Sequence, residues 1–168
     1  LQAILHESGR METVIRQATE LGVARIVPVV TSLCQRGNRR LRQGADRRWQ
    51  RIAATAVKQC GSLRIPEVEA PRSLEVILQR GHAHRRLMLD PGGRASSSVL
   101  TGAAPAGVEL LVGPEGGLTT EERHRAVDAG FQPVRLGPRT LRADTAAAAA
   151  LTAVMGAWGD LSVGPGDS

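Results

Sequence analysis

The sequence predicts an α/β fold, a mostly parallel sheet flanked by helices, and three observations support it. Short apolar runs of strand character alternate with segments whose apolar residues recur at helical spacing. VELLVG at 108–113 has too many consecutive apolar residues for a sheet wet on one face, so it belongs at the centre of a parallel one. Finally, two strand ends pass through Gly-Pro into helix-start signals, at 113–119 and 137–145.

Element by element, residues 10–21 place Met11, Val14, Ile15, Ala18 and Leu21 on one helical face, with Ser8 as a candidate N-cap and Gly22 where a left-handed terminator is wanted. ARIVPVV at 24–30 is a strand whose Pro28, lacking an N–H, suggests an edge position or a bulge. After an arginine-rich loop, Asp46 can cap a helix with an apolar stripe of Trp49, Ile52, Ala53, Ala56, Val57 and Cys60, stopped by Gly61. A helix is expected near 73–79, a strand at 85–90 and, by composition, a loop at 91–98. Thr119 and Glu122 have capping-box spacing, opening a helix that turns Ala126 and Val127 inward and ends at Gly130. FQPVRLG at 131–137 is a further strand, and Asp144 or Thr145 caps an alanine-rich last helix with good propensity and little bulk.

The 168 residues, 42% apolar and 23% charged, suit one globular domain with a real core. No apolar run approaches the roughly 20 residues of a membrane span and no signal peptide is visible, so a cytoplasmic location without membrane partners is expected. The start at Leu1 suggests a domain separated from an N-terminal neighbour; 1–160 is expected to be the domain and 161–168 a flexible tail. Cys34 and Cys60 are too few and too far apart for a disulfide framework or zinc site, and His82 and His84 have no third ligand in view, so no metal is expected. The net charge of +6 points to an anionic partner, although only Lys58 among the 22 basic residues is lysine, a compositional bias in itself. Clustering says more than the total: Arg36, Arg39, Arg40, Arg42 and Arg47, followed by Arg48 and Arg51, form either a solvated face or an RNA-facing patch. Aromatic residues make up only 2%, so RNA would be gripped by charge and shape rather than by stacking, and Trp49 and Trp158 are expected to pack.

The two Gly-Pro loops, LLVGPEGGLTTEE (110–122) and RLGPRTLRADTAA (135–147), both leave carboxyl ends of strands, where open parallel sheets bind ligands. Glycines 113, 116, 117 and 137 permit positive φ and close approach to the main chain, and the prolines stiffen each turn. Such loops can hold a flat polar heterocycle through backbone groups; alternatively they are tight turns that only close the fold. There is no phosphate loop or dinucleotide fingerprint, and Glu121 and Glu122 at the following helix start would repel a phosphate. An uncharged or cationic nucleoside such as S-adenosylmethionine fits better.

Together with RQATELGVARIVPV (16–29) and WQRIAATAVKQCGS (49–62), these loops resemble, in order and over residues 1–160, the small-subunit (16S) ribosomal RNA uracil-N3 methyltransferases of the SPOUT superfamily. The resemblance implies a SPOUT-type fold with a deep C-terminal trefoil knot. It also implies a homodimer with the active site at the interface, 16S rRNA as substrate, and an N-terminal PUA-like RNA-binding domain that this chain lacks. S-adenosyl-L-methionine is implied as cofactor, held largely by main chain. Carried over by position, the cofactor residues are Leu89 and Pro91; Val112, Gly113, Pro114, Glu115, Gly116 and Gly117; and Leu136, Gly137, Pro138, Leu141 and Arg142. The chain departs from the family pattern at His6, Glu7, Gln17, Lys58 and Asp144.

Uracil N3 must lose its proton, so negative charge develops on the ring and a guanidinium beside it would be stabilising. Arg142 is the candidate for that role, against an ordinary ion pair with Asp144 or Glu115. Glu115, the ionisable side chain inside GPEGG, is the candidate base or, preferably, an organiser of the loop. Two other readings remain: an RNA-binding or ribosome-assembly factor that keeps the fold without catalysis, and a SPOUT enzyme acting on transfer RNA.

Overall fold

The computed structural model describes residues 2–3, 8–35, 45–80 and 85–161. Its elements in chain order are β1 (Gln2–Ala3), α1 (Ser8–Glu20), β2 (Arg25–Ile26), β3 (Val29–Val30), α2 (Ser32–Gln35), α3 (Ala45–Cys60), β4 (Glu67–Val68), β5 (Arg72–Ser73), α4 (Leu74–Leu78), β6 (Arg85–Ala95), α5 (Ser96–Val99), β7 (Val108–Val112), α6 (Thr120–Asp128), β8 (Gln132–Arg135) and α7 (Ala143–Trp158). The main sheet has the order β1-β7-β6-β8, and every pairing in it is parallel.

β7 is central, as its unbroken apolar run requires. Its residues alternate between two cores. Leu110 and Val112, with Leu87 of β6, face Met11, Ile15 and Ala18 of α1, Trp49 and Ala53 of α3, and Ala147, Ala150 and Leu151 of α7. Leu111, with Met88 of β6, faces Leu74 and Ile77 of α4, Ala126 of α6 and Phe131. The small side chains of α7 let it lie close against α1 and β7. Gly22, Gly61 and Gly130 follow three of the helices with φ of 75°, 75° and 88°, the left-handed conformation that only glycine adopts cheaply.

Several elements differ from the sequence expectation. The strand expected over 24–30 is two: β2 pairs with β4 and β3 with β5, and the break falls at Val27-Pro28, where Pro28 has no N–H to give. Its carbonyl still accepts from Arg72 N at 2.9 Å. The loop expected at 91–98 is instead the continuation of β6 to Ala95, then α5. Leu89 and Arg94 both pair with Val134 of β8, so residues 90–93 are extra on the β6 side of the pairing, with Gly93 still packed against β8. Val127 faces solvent rather than the core, because the inward face of α6 is Glu122 and Ala126. α7 begins before Asp144 and Thr145, with Arg142 as a cap that makes no side-chain hydrogen bond. Cys60, at the end of the apolar stripe of α3, is exposed.

At the end of the sheet where β6 and β7 begin, the paired residues Arg86 and Glu109 form a buried ion pair of 2.7 Å. Arg86 also donates to the carbonyls of Ala129 at 2.6 Å and Arg80 at 2.9 Å, and its guanidinium lies 4.7 Å from the centre of the Phe131 ring. A charge there is tolerable because each of its three guanidinium nitrogens donates to an acceptor and Glu109 balances it.

Candidate functional site

A cleft of about 330 Å³ opens beside the middle of β6 and at the carboxyl ends of β7 and β8. β6 lies between the other two, so the Gly-Pro loops leave strands that are next but one rather than adjacent. The intervening strand supplies Leu89, Asp90 and Pro91; the exit of β7 supplies Val112 to Leu118; that of β8 supplies Leu136, Gly137 and Leu141; and Ala143 and Ala146 of α7 complete the wall.

The GPEGG turn is held from several sides. Gly117 N donates to Pro114 O at 2.8 Å, and Gly117 alone among the four loop glycines has the positive φ, 70°, that the turn needs. Pro114 is buried beneath it. The Arg10 guanidinium donates to the Glu115 carboxylate, joining the start of α1 to the loop. The sequence left Glu115 as base or organiser, and this contact favours the organiser.

Below the turn, Glu122 completes the capping box with Thr119 (N–H to Oε2, 2.8 Å; the return bond from Glu122 N to the hydroxyl, 3.1 Å). Its other oxygen accepts from Ser32 N of α2 at 2.7 Å. Burial acts to raise the Glu122 pKa, but these hydrogen bonds outweigh it and hold the carboxyl below the usual carboxylate range. The folded carboxyl therefore binds its proton more weakly than the unfolded one. Its stabilisation is fully present above the unfolded pKa of about 4.3 and is lost as pH falls through the lower folded value. Because both oxygens accept from N–H groups, Glu122→Gln would set an amide NH₂ against a donor. We expect it to cost about 1–3 kcal/mol in urea unfolding at pH 7 and to narrow the difference between pH 7 and pH 3. An unchanged acid profile would remove Glu122 from this role.

Of the residues assigned to the cofactor by resemblance, Leu89, Pro91, Val112, Gly113, Pro114, Glu115, Gly116, Gly117, Leu136, Gly137 and Leu141 line the cleft. Pro138 and Arg142 are not in its wall. Arg142 sits between two residues that are, mostly exposed, with Nε 3.6 Å from Asp144 Oδ1. The cleft also includes Arg123 and Arg135, which sequence reasoning missed, and Asp90, Arg139 and Thr140, which lie within the segments carried over by resemblance. Asp90 accepts from Gly92 N at 2.7 Å and pairs with Arg123 at 3.5 Å. The available signal was its position as the ionisable residue ending RRLMLD. Of the suggested RNA patch, Arg47 is exposed on the first turn of α3, while Arg36, Arg39, Arg40 and Arg42 lie outside the described residues. So do His6, Glu7, His82, His84 and residues 162–168. Trp49 is buried in the core, and Trp158 donates to Gly102 O at 3.2 Å. Among the described residues no cluster of three or more His, Cys, Asp or Glu could hold a metal, and no helix is long and apolar enough to cross a membrane.

The family model for an RNA methyltransferase domain matches residues 1–155. The ribosomal RNA small subunit methyltransferase E of Buchnera aphidicola subsp. Schizaphis graminum is 30% identical over 164 residues, covering 96% of this chain and 66% of that protein. A putative methyltransferase from Legionella pneumophila, solved in complex with the cofactor SAM, is 35% identical with a TM-score of 0.87 over 95% of this chain and 66% of that one. A ribosomal RNA small subunit methyltransferase E from Neisseria gonorrhoeae, solved bound to S-adenosyl methionine, is 32% identical with a TM-score of 0.78, over 94% and 64%. The chain thus spans just under two thirds of the length of these relatives. The α/β class with a mostly parallel sheet flanked by helices, expected from the sequence, is the observed one. By its sequence match over residues 1–155 and by its fold, the chain belongs to the RNA methyltransferase domain family.

Proposed function

We propose that this chain is the catalytic part of an S-adenosyl-L-methionine-dependent enzyme that methylates N3 of a uridine in small-subunit (16S) ribosomal RNA. The observation that carries the proposal is that the middle of β6 and both Gly-Pro loops line one cleft. The walls suit that cofactor. Gly116 and Gly117 leave main chain bare, and Leu89, Val112 and Leu136 offer apolar surface for a flat ring. When bound, the cofactor supplies an electrophilic methyl group. The chain's own residues orient the partners and exclude water, which is the larger part of catalysis when no metal is required.

Arg142 is assigned to the charge that develops on the uracil ring. Its 3.6 Å pair with Asp144 is exposed and worth about 0–1 kcal/mol, so exchanging that partner for the ring costs little. We expect Arg142→Ala to lower kcat by about 100-fold or more while the cofactor Kd changes little. Labelled methyl transfer to small ribosomal subunits, run beside cofactor calorimetry, checks this. A cofactor affinity that collapses with the rate would make Arg142 structural.

The same reading carries the C-terminal knot, a homodimer with the site at its interface, a PUA-like domain preceding this one, residues 1–160 as the catalytic domain and a cytoplasmic location.

A further inference from the structure

A second concavity, apart from the cofactor cleft, runs between α1 and α3. One wall is the α1 row of Arg16 and Glu20, spaced i, i+4; the other is the α3 row of Arg48, Ile52, Thr55 and Gln59, with Arg51 beside it. Arg48 is joined to Glu12 of α1 at 2.5 Å, tying the two helices near their amino ends. Arg16 and Arg51 have no carboxylate partner among the described residues, and both are exposed. The groove therefore carries unspent positive charge, bounded at one end by Glu20.

Its position relates it to the cleft. Arg10, which holds Glu115 in the GPEGG turn, lies on α1 about 9 Å of helix rise before Arg16. A chain leaving the cleft along α1 meets Arg16 and Arg51 next. The groove offers no aromatic platform, since Trp49 is buried on the core side of α3. It can grip a sugar–phosphate backbone but cannot stack bases.

We infer that the α1–α3 groove is a track for the backbone of single-stranded RNA next to the target nucleotide, with Arg16 and Arg51 as its phosphate contacts. The inference rests on the RNA methyltransferase reading above. It is also chemically consistent with it, because uracil N3 lies on the Watson–Crick edge and is accessible only when the base is unpaired. The exposed guanidinium groups of Arg16 and Arg51 complement a phosphate backbone, and this charge complementarity favours nucleic acid over a protein partner.

The test uses this chain with Arg16→Gln and Arg51→Gln combined, and Arg72→Gln, far from the groove on β5, as control. A short oligouridylate is titrated across a range of salt, and the cofactor is titrated by calorimetry. Each phosphate contact on a single strand contributes about 0.7 to the slope of log affinity against log salt, so the double variant should lose about 1.4 in slope and at least about tenfold in affinity at low salt. The cofactor Kd and the Arg72 variant should stay at parental values. If the double variant binds oligouridylate with parental affinity and slope while cofactor binding persists, the groove is overturned and the enzyme reading stands. Polyglutamate competing as well as oligouridylate would overturn RNA in favour of an acidic protein. If the parent binds neither oligouridylate nor cofactor, the reading of function falls, and this inference with it.

Discussion

Arg86→Ala should cost about 3–5 kcal/mol of folding free energy, a large share of the roughly 5–15 kcal/mol that holds an ordinary domain together. The guanidinium serves Glu109 and two main-chain carbonyls at once, and the carboxylate and guanidinium are both buried. Truncating it takes away the guanidinium 2.7 Å from the buried Glu109 carboxylate, in a medium that solvates charge poorly. Replacing both partners by apolar residues, Arg86→Met with Glu109→Leu, removes that buried charge and should recover most of the loss, leaving the two carbonyls as the main residual cost. Urea unfolding of the single and double variants measures the difference. Equal losses would show that burying the pair is not what matters. The pair lies at the far end of β6 from the cleft, so either variant, once folded, should bind the cofactor with parental affinity.

Gly93→Ala should cost about 3 kcal/mol and weaken cofactor binding by at least about tenfold. An added Cβ would lie 2.5 Å from Val134 N, 2.6 Å from Pro133 C and 2.8 Å from Pro133 O. All three atoms are backbone, so relief comes only by moving β6 away from β8. Pro91 and Val134 line the cleft on either side of that contact, and parting them opens its wall. Gly92→Ala is the control. Its Cβ would lie 3.2 Å from Asp90 Oδ1, the end of a side chain that can turn, so it should cost less than about 1 kcal/mol. Indistinguishable variants would mean that close passage of the two strands is not what shapes the site.

These two features also show what could be read from the residues in advance. β7 was legible because its apolar run leaves no face for water, and α4 and α6 because Ser73 and Thr119 are caps that act within one turn. The Arg86–Glu109 pair joins residues on different strands and leaves no local pattern. The β6 continuation through Pro91-Gly92-Gly93 was hidden for a related reason. Its composition favours a loop, and only tertiary contact with β8 makes it a strand. The outward turn of Val127 follows from Glu122, whose burial depends on Ser32, distant in sequence. In the site, the glycine-rich β7 exit was readable because the absence of side chains is itself the signal. Along 136–142 the chain path decides which residues face the cleft, and there Pro138 and Arg142 fall outside while Arg139 and Thr140 fall inside.

On the proposed reading, main-chain groups in the middle of β6 and at the exits of β7 and β8 form one receptor for a sulfonium nucleoside. Determining the structure of this chain soaked with S-adenosyl-L-methionine tests it most directly. The account predicts the adenosine between Leu89–Pro91, Gly113–Gly117 and Leu136–Leu141, its polar ring atoms meeting backbone N–H and C=O groups. The cofactor bound elsewhere, or failing to bind while the fold stays intact, would contradict it.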